Sequence, residues 1–176
     1  MLSHEPTAYN YPSELSTMSE EDKEIYYRTY FGQSHDYYYD KLEQYQAGRK
    51  FTFNFYAFFL GLPWLLYRKM NRFALFLLVA VVGQSILLSY LLEQKYINTT
   101  NAFWYERGAM LFWGLVTGFF ANYFYMRQAQ REVDNAIAAT PNEDTALELL
   151  SQKGGVTFIP HIVIAVMLLV LLLMGQ

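Results

Sequence analysis

The chain has 176 residues, 53% hydrophobic and 19% aromatic, and carries a formal net charge of −3. Only 16% of the residues are charged, against about 25% in ordinary soluble domains, so the composition argues against a soluble protein. The small net charge argues against a nucleic-acid partner, and the absence of cysteine excludes disulfides, thiolate metal sites and cysteine nucleophiles.

The first fifty residues are polar and rich in tyrosine. Residues 1–17 combine two prolines with Ser, Thr and Tyr, which predicts a flexible tail without the basic and apolar regions of a signal peptide. Residues 18–50 predict a pair of helices. The first begins after Ser19 and stops at Gly32, and the second begins after Ser34.

Three residues of the second helix, Tyr38, Leu42 and Tyr45, share one face at helical spacing. Two interpretations are open. The face packs on the neighbouring helix and on a membrane, which we favour, or it is a surface for a protein partner, since tyrosine is enriched in interface cores.

Residues 51–72 form an apolar segment that runs into basic residues. Gly61 and Pro63 interrupt it, and both disfavour a continuous helix. The segment is also short for a membrane span. It therefore predicts an elbow that bends near Gly61 and lies at the cytosolic membrane interface. The alternatives are a helical hairpin that dips partway into the bilayer and a true span.

The C-terminal part of the elbow predicts a membrane-interface anchor. Its aromatic residues are of the amphipathic kind found at headgroup depth, and its basic residues can reach lipid phosphates. The anchor residues are Trp64, Tyr67, Arg68, Lys69 and Arg72.

Three later segments are long and apolar enough to cross a bilayer, which takes about 20 residues. They are residues 73–92, 109–126 and 156–174. A helix that is apolar on all sides has no solvent-facing surface, so a soluble bundle is disfavoured. The sequence thus predicts an all-α integral membrane protein with three transmembrane helices, an elbow before the first, and an N-terminal helical pair.

The distribution of Lys and Arg predicts the orientation. With a cytosolic N-terminus and an external C-terminus, residues 18–50 and 127–155 are cytosolic and residues 93–108 form a short external loop. Only Lys95 and Arg107 are then external. The eleven cytosolic residues, which satisfy the positive-inside rule, are Lys23, Arg28, Lys41, Arg49, Lys50, Arg68, Lys69, Arg72, Arg127, Arg131 and Lys153.

Residues 127–155 predict a helical extension of the second span followed by a short helix. Thr140, Pro141 and Glu143 fit a capping box with Pro at the first helical position, and Gly154 ends the short helix.

The second span carries a packing motif, in which Gly114 and Gly118 form a GxxxG and Asn122 follows on the same face. Small residues at this spacing allow close helix approach, and Asn can hydrogen-bond across the contact. We expect packing against the other two spans, with homodimerisation or docking to a larger membrane protein as the alternative. The first span offers small or polar counterparts, Gly83, Gln84, Ser85 and Ser89.

A search for chemistry finds no catalytic, cofactor or metal site. The three histidines, His4, His35 and His161, are far apart in sequence, and no nucleotide-binding or hydrolase motif is present. His161 is a candidate proton-relay group, although an interfacial position is the favoured interpretation. Glu106 and Arg107 are expected to be solvated, with a gate-like pair as the alternative.

The elbow also carries a family resemblance. Residues 53–61 and 63–70 resemble the hallmark FNWxAFFFGPFWLLYRKMY of the bacterial "domain of unknown function 2628" family. The chain departs from it at Phe55, in place of Trp, at the additional Leu62, and at Asn71, in place of Tyr. Further similar stretches include Tyr37-Tyr38-Tyr39, Gly118-Phe119-Phe120-Ala121-Asn122-Tyr123 and Gly154-Gly155-Val156.

The resemblance covers most of residues 31–160 and implies a small multi-pass protein of the bacterial inner membrane, without implying a function. We expect a non-enzymatic protein that acts through contacts, as an accessory or assembly subunit or a scaffold. Its partners would be membrane lipids and either a membrane protein or further copies of itself. The alternative is a small oligomeric transporter or channel subunit whose path is lined by Gln84, Ser85, Asn122 and His161. A lipid-directed enzyme or regulator is disfavoured because no catalytic constellation is found.

Overall fold

A computed structural model describes residues 18–140 and 142–174, and the predicted tail over residues 1–17 lies outside this range. The described residues form helices and no strand, which confirms the all-α class. The helices are α1 Glu20–Phe31, α2 His35–Gln46, α3 Phe55–Leu60, α4 Leu62–Tyr67, α5 Asn71–Glu93, α6 Thr99–Ala139, α7 Glu143–Lys153 and α8 Ile159–Met174, with a 3₁₀ turn at Gly32–Ser34.

The chain divides into two compact units, and α6 contributes to both. Among the described residues, the first unit consists of residues 18–52, 123–140 and 142–156. The second consists of residues 53–122 and 157–174.

The first unit is built around aromatic side chains. α1 packs against α2 and α7, and Tyr30, Phe31, Tyr38 and Tyr125 are all buried. The Tyr125 ring centroid lies 6.0, 5.7 and 4.8 Å from those of the other three, in tilted or edge-to-face geometry. Such pairs stabilise a core beyond their buried area, which explains why so tyrosine-rich a segment folds.

The end of α1 meets the loop after α7 through glycine. The Gly155 N–H donates a 2.7 Å hydrogen bond to the Tyr30 carbonyl, and the Gln128 amide donates a 2.9 Å bond to the Tyr30 hydroxyl. A Cβ on Gly154 would collide with the Tyr30 backbone, and one on Gly32 would lie 3.1 Å from the Gly155 Cα. Close backbone approach therefore fixes this junction.

The predicted helix starts in this unit are partly confirmed. The Ser19 side chain accepts a hydrogen bond from the Asp22 N–H at the start of α1. Ser34 makes no side-chain cap, because the 3₁₀ turn already leads the backbone into α2. The cap of α7 is Asn142 rather than Thr140, since the Asn142 side chain accepts from the Thr145 N–H. Pro141 lies outside the described residues.

The second unit begins with the elbow (residues 53–67), in which α3 and α4 meet at Gly61. Gly61 has φ +50°, a conformation that glycine adopts without a Cβ penalty, and it separates the two short helices. Pro63 lies in the first turn of α4, where its missing N–H costs no helical hydrogen bond. α4 packs against α5 and α8, and the Thr157 N–H donates to the Tyr67 carbonyl.

Two of the described helices, α5 and α6, are long and apolar enough to cross a membrane. Only 6% of the most apolar stretch of α5 is buried, whereas a core helix of a soluble protein would be mostly buried. α6 already begins at Thr99, within the segment 93–108 for which an external loop is predicted. Its polar first turn is stabilised by the Asn98 side chain, which accepts from the Asn101 N–H at 2.8 Å. The helix predicted from residue 156 begins at Ile159.

Candidate functional site: the elbow and the groove beside it

The elbow is docked on the small-residue face of α6. A Cβ on Gly114 would lie 3.2 Å from the Phe58 carbonyl oxygen, and one on Gly118 would lie 2.7 Å from the Phe53 ring. The Phe53 ring is packed edge-to-face on Phe119 at a centroid distance of 5.0 Å. The GxxxG motif thus receives the aromatic residues of the elbow.

Buried hydrogen bonds fix the register of this contact. The Asn54 amide donates to the Asn122 carbonyl oxygen at 2.8 Å, and the Asn54 N–H donates to the Gly118 carbonyl at 2.8 Å. The Asn54 side-chain oxygen also caps α3 through the Ala57 N–H. The Thr117 hydroxyl lies 3.0 Å from the Ala57 carbonyl. Because these polar groups are buried, losing one partner would leave the other unsatisfied.

For Gly114, Gly118 and Asn122 the sequence predicts packing against the other two spans, and the structure shows a different partner. They do pack within the chain, and the partner that the structure shows is the elbow. Close packing here requires a flat backbone surface on α6 and large rings opposite it, and Phe53 and Phe58 supply those rings.

A groove of about 410 Å³ lies beside this contact, between α5 and α6 with the elbow at one end. Its volume is in the range of small-molecule sites, about 300–1,000 Å³. The Trp113 indole N–H donates to the Gln84 side-chain oxygen at 2.7 Å and links the two helices. The lining residues are Phe58, Phe59, Leu60, Gly61, Leu62, Leu77, Leu78, Val81, Gln84, Ser85, Glu106, Ala109, Met110, Trp113, Gly114 and Thr117.

The residues predicted to line a transport path are not brought together within one chain. Gln84 and Ser85 line the groove, whereas Asn122 is buried and bonded to Asn54. The His161 ring lies against Tyr67 and Phe158, at centroid distances of 6.2 Å each.

The predicted interface anchor is partly wrong. Trp64 and Arg68 are 5% and 4% exposed, so their side chains are packed inside the protein and are not available to lipid phosphates. The amphipathic residues at this bend are drawn into the packing of α4, and the Arg68 guanidinium lies over the Tyr67 ring. Tyr67 and Lys69 are half-buried, and Arg72 is exposed.

The candidate partner surface in α2 is also corrected. Tyr38 and Leu42 are 3% and 1% exposed and belong to the core of the first unit. Tyr45 is half-buried and lies against the Tyr123 ring. This agrees with one half of the interpretation that the sequence favours, packing on the neighbouring helix, while packing on a membrane stays a prediction.

The charged groups of the first unit form local pairs. The hydrogen bond from Arg28 lowers the pKa of the Asp36 carboxyl. Burial by itself would raise the pKa of the Glu132 carboxyl. Lys153 and Arg131 donate hydrogen bonds to its carboxylate, and the net effect is a lowered pKa. Burial raises the pKa of Asp134 to about 6, and its Oδ1 has no hydrogen-bond partner among the described residues.

Among the described residues, no three His, Cys, Asp or Glu side chains cluster in a way that could hold a metal ion. Several features of the site were missed by the sequence analysis: the stacking of Phe53 and Phe58 on α6, the Trp113–Gln84 bond, and the Gly154 contact. The GxxxG spacing signals that something packs there, but no local pattern identifies the partner.

The fold and the site together define an all-α protein with two helices of bilayer-spanning length and an aromatic elbow docked on the second. Residues 17–131 match the family described as "Protein of unknown function (DUF2628)", and the chain belongs to that family. The match starts and ends earlier than the resemblance over residues 31–160, so it includes the elbow but not Gly154. No curated protein and no solved structure matches the chain.

Proposed function

We propose that this is a non-enzymatic, multi-pass protein of the bacterial inner membrane that acts through contacts with another membrane protein, as an accessory or assembly subunit or a scaffold. In this proposal α5, the apolar part of α6, and α8 cross the bilayer. The N-terminus is cytosolic, and the elbow lies at the cytosolic interface. The exposed apolar surface of α5 and the bias of Lys and Arg towards one side support this arrangement.

One face of α5 carries the argument for a protein partner. Ser85, Ser89 and Glu93 recur every fourth residue and are exposed, and Val82 and Ile86 lie beside them on α5. Small residues within a bilayer allow another helix to approach closely. Polar residues there favour a protein neighbour because lipid acyl chains offer no hydrogen-bond partners. The small-residue face of α6 is already filled by the elbow, so α5 offers the free face.

Site-specific crosslinking tests the contact, and the absence of cysteine makes single-cysteine variants clean reporters. Ser89→Cys is labelled with a maleimide photo-crosslinker in native membranes. The matched control is Leu87→Cys, which is exposed at the same depth on the opposite face of α5.

The expected result is one discrete adduct from Ser89→Cys, its absence from Leu87→Cys, and a stoichiometric partner that co-purifies in mild detergent. An adduct with a second copy and no other partner would favour the transporter or channel alternative. Lipid-only labelling at both positions would refute the proposal.

The topology is tested by an impermeant maleimide on intact cells. Tyr56 and Tyr96 are 72% and 73% exposed and are suitable sites, whereas Asn54, at 2% exposure, is not. We expect Tyr96→Cys to react at once and Tyr56→Cys to react only after permeabilisation. Immediate reaction at Tyr56→Cys would refute the cytosolic elbow.

A further inference from the structure

We propose that the groove between α5 and α6 binds one phospholipid whose headgroup carries a primary ammonium group. The inference rests on the proposed function in that α5 and α6 must cross the bilayer. It concerns a neighbouring surface that shares Ser85 with the protein contact, whereas Ser89 and Glu93 do not line the groove.

The groove is polar at one end and apolar at the other. The short connection over residues 94–98 makes α5 and α6 antiparallel, and Gln84 bonds to Trp113 across the groove. Glu106 then lies about 10 Å beyond Trp113, at about 1.5 Å per residue, towards the end remote from the elbow, while Phe58, Phe59 and Leu60 close the opposite end. Such a gradient matches an amphiphile with its headgroup at Glu106 and its acyl chain directed to the elbow.

The length of the groove suits an acyl chain. Glu106 and Thr117, both on its α6 wall, are separated along the helix axis by about 16 Å at about 1.5 Å per residue. That distance is about half the hydrocarbon thickness of a bilayer, ~30 Å, and so corresponds to one leaflet.

The charge at the mouth selects the headgroup. Glu106 is exposed and forms neither a hydrogen bond nor an ion pair with any other described residue. The neighbouring Arg107 guanidinium lies over the Phe103 ring, 5.1 Å from its centroid, instead of neutralising Glu106. A primary ammonium group complements the carboxylate and donates hydrogen bonds to it, whereas a quaternary ammonium has no N–H to donate.

The binding test is native mass spectrometry of the full-length protein in mild detergent. The protein is incubated with equal amounts of ethanolamine, choline and glycerol phospholipids that have identical acyl chains. We expect one retained lipid and about a fivefold preference for ethanolamine, the size of effect a solvent-exposed ion pair supports. Glu106→Gln should abolish the preference, and Ala109→Phe, which fills the groove, should abolish retention of all three lipids.

Matched controls lie outside the groove. Glu93→Gln removes a carboxylate of α5 that does not line the groove, and Gly108→Phe adds a ring on α6 where a Cβ meets nothing within 4 Å. Both should retain lipid as the parent does. Retention by Ala109→Phe, an unchanged preference in Glu106→Gln, or no retained lipid in the parent would overturn the proposal. If lipid binding failed while Ser89→Cys still formed a crosslink, only the lipid proposal would be refuted. If lipid bound as expected and Ser89→Cys formed no crosslink, only the protein contact would be refuted.

Discussion

Gly154→Ala is the substitution that the structure predicts to be the most damaging among the glycines of the first unit. The backbone at Gly154 has φ −90° and ψ −155°, which any residue can adopt, so alanine adds no backbone strain. The added Cβ, however, would lie within 2.8 Å of the Tyr30 carbonyl carbon and Cα. Because these are backbone atoms, no rotamer change can relieve the contact.

The magnitude follows from two costs. Forcing a methyl group into a closed space costs about 1–3 kcal/mol or more. Separating the two backbones also weakens the hydrogen bond from Gly155 to the Tyr30 carbonyl, about 1 kcal/mol. At about 2–4 °C per kcal/mol for a chain of this length, we expect Tm to fall by at least ~4 °C.

Two other glycines separate steric exclusion from backbone strain. Gly155 has φ +65° with open space where an added Cβ would lie, so Gly155→Ala incurs only the left-handed penalty, about 1–2 kcal/mol. Gly83 is helical with open space, so Gly83→Ala should raise Tm slightly through helix propensity. The assay is Tm in detergent by intrinsic fluorescence, with the expected rank order Gly154→Ala, then Gly155→Ala, then parent, then Gly83→Ala. A Gly154→Ala protein as stable as the parent would refute the close approach of the Tyr30 backbone.

Three further predictions use the same assay. Gly118→Ala should lower Tm by about 2–8 °C because its Cβ meets the Phe53 ring, whereas Gly108→Ala on the same helix should not lower it; equal effects would contradict the elbow contact. Asn122→Ala should destabilise by about 1–3 kcal/mol by leaving the Asn54 amide buried and unpaired, and an additive double-mutant cycle with Asn54→Ala would count against that bond. Burial raises the pKa of Asp134 from 3.8 to about 6, so the folded chain binds the proton more tightly and stability falls as the pH rises between these values. Asp134→Asn should therefore flatten this part of the pH profile and raise Tm at pH 7, and an unchanged profile would exclude a buried Asp134 carboxylate.

Local signals in the sequence were sufficient for the class of structure and for most helix positions. Examples are the charge-free apolar run that forms α5, the Ser19 cap and the interruption at Gly61. Each depends on interactions between residues close together in sequence, and such interactions can be predicted from the sequence. Boundaries were less certain where two local choices competed, as at Thr140 and Asn142. The polar residues before residue 109 suggested a loop, but a side-chain cap at Asn98 made them the first turns of α6.

The sequence by itself determined that this chain is helical, that it carries apolar segments of bilayer-spanning length, and that a small-residue face on α6 must receive a close neighbour. Only the tertiary structure decided which neighbour that is, because a GxxxG face accepts any surface of suitable shape. It likewise decided that Trp64 and Arg68 are buried, and that Tyr38 and Leu42 belong to a core. Burial depends on side chains far away in sequence, such as Tyr125 beside Tyr38 and Asn122 beside Asn54, and no local pattern encodes those distances.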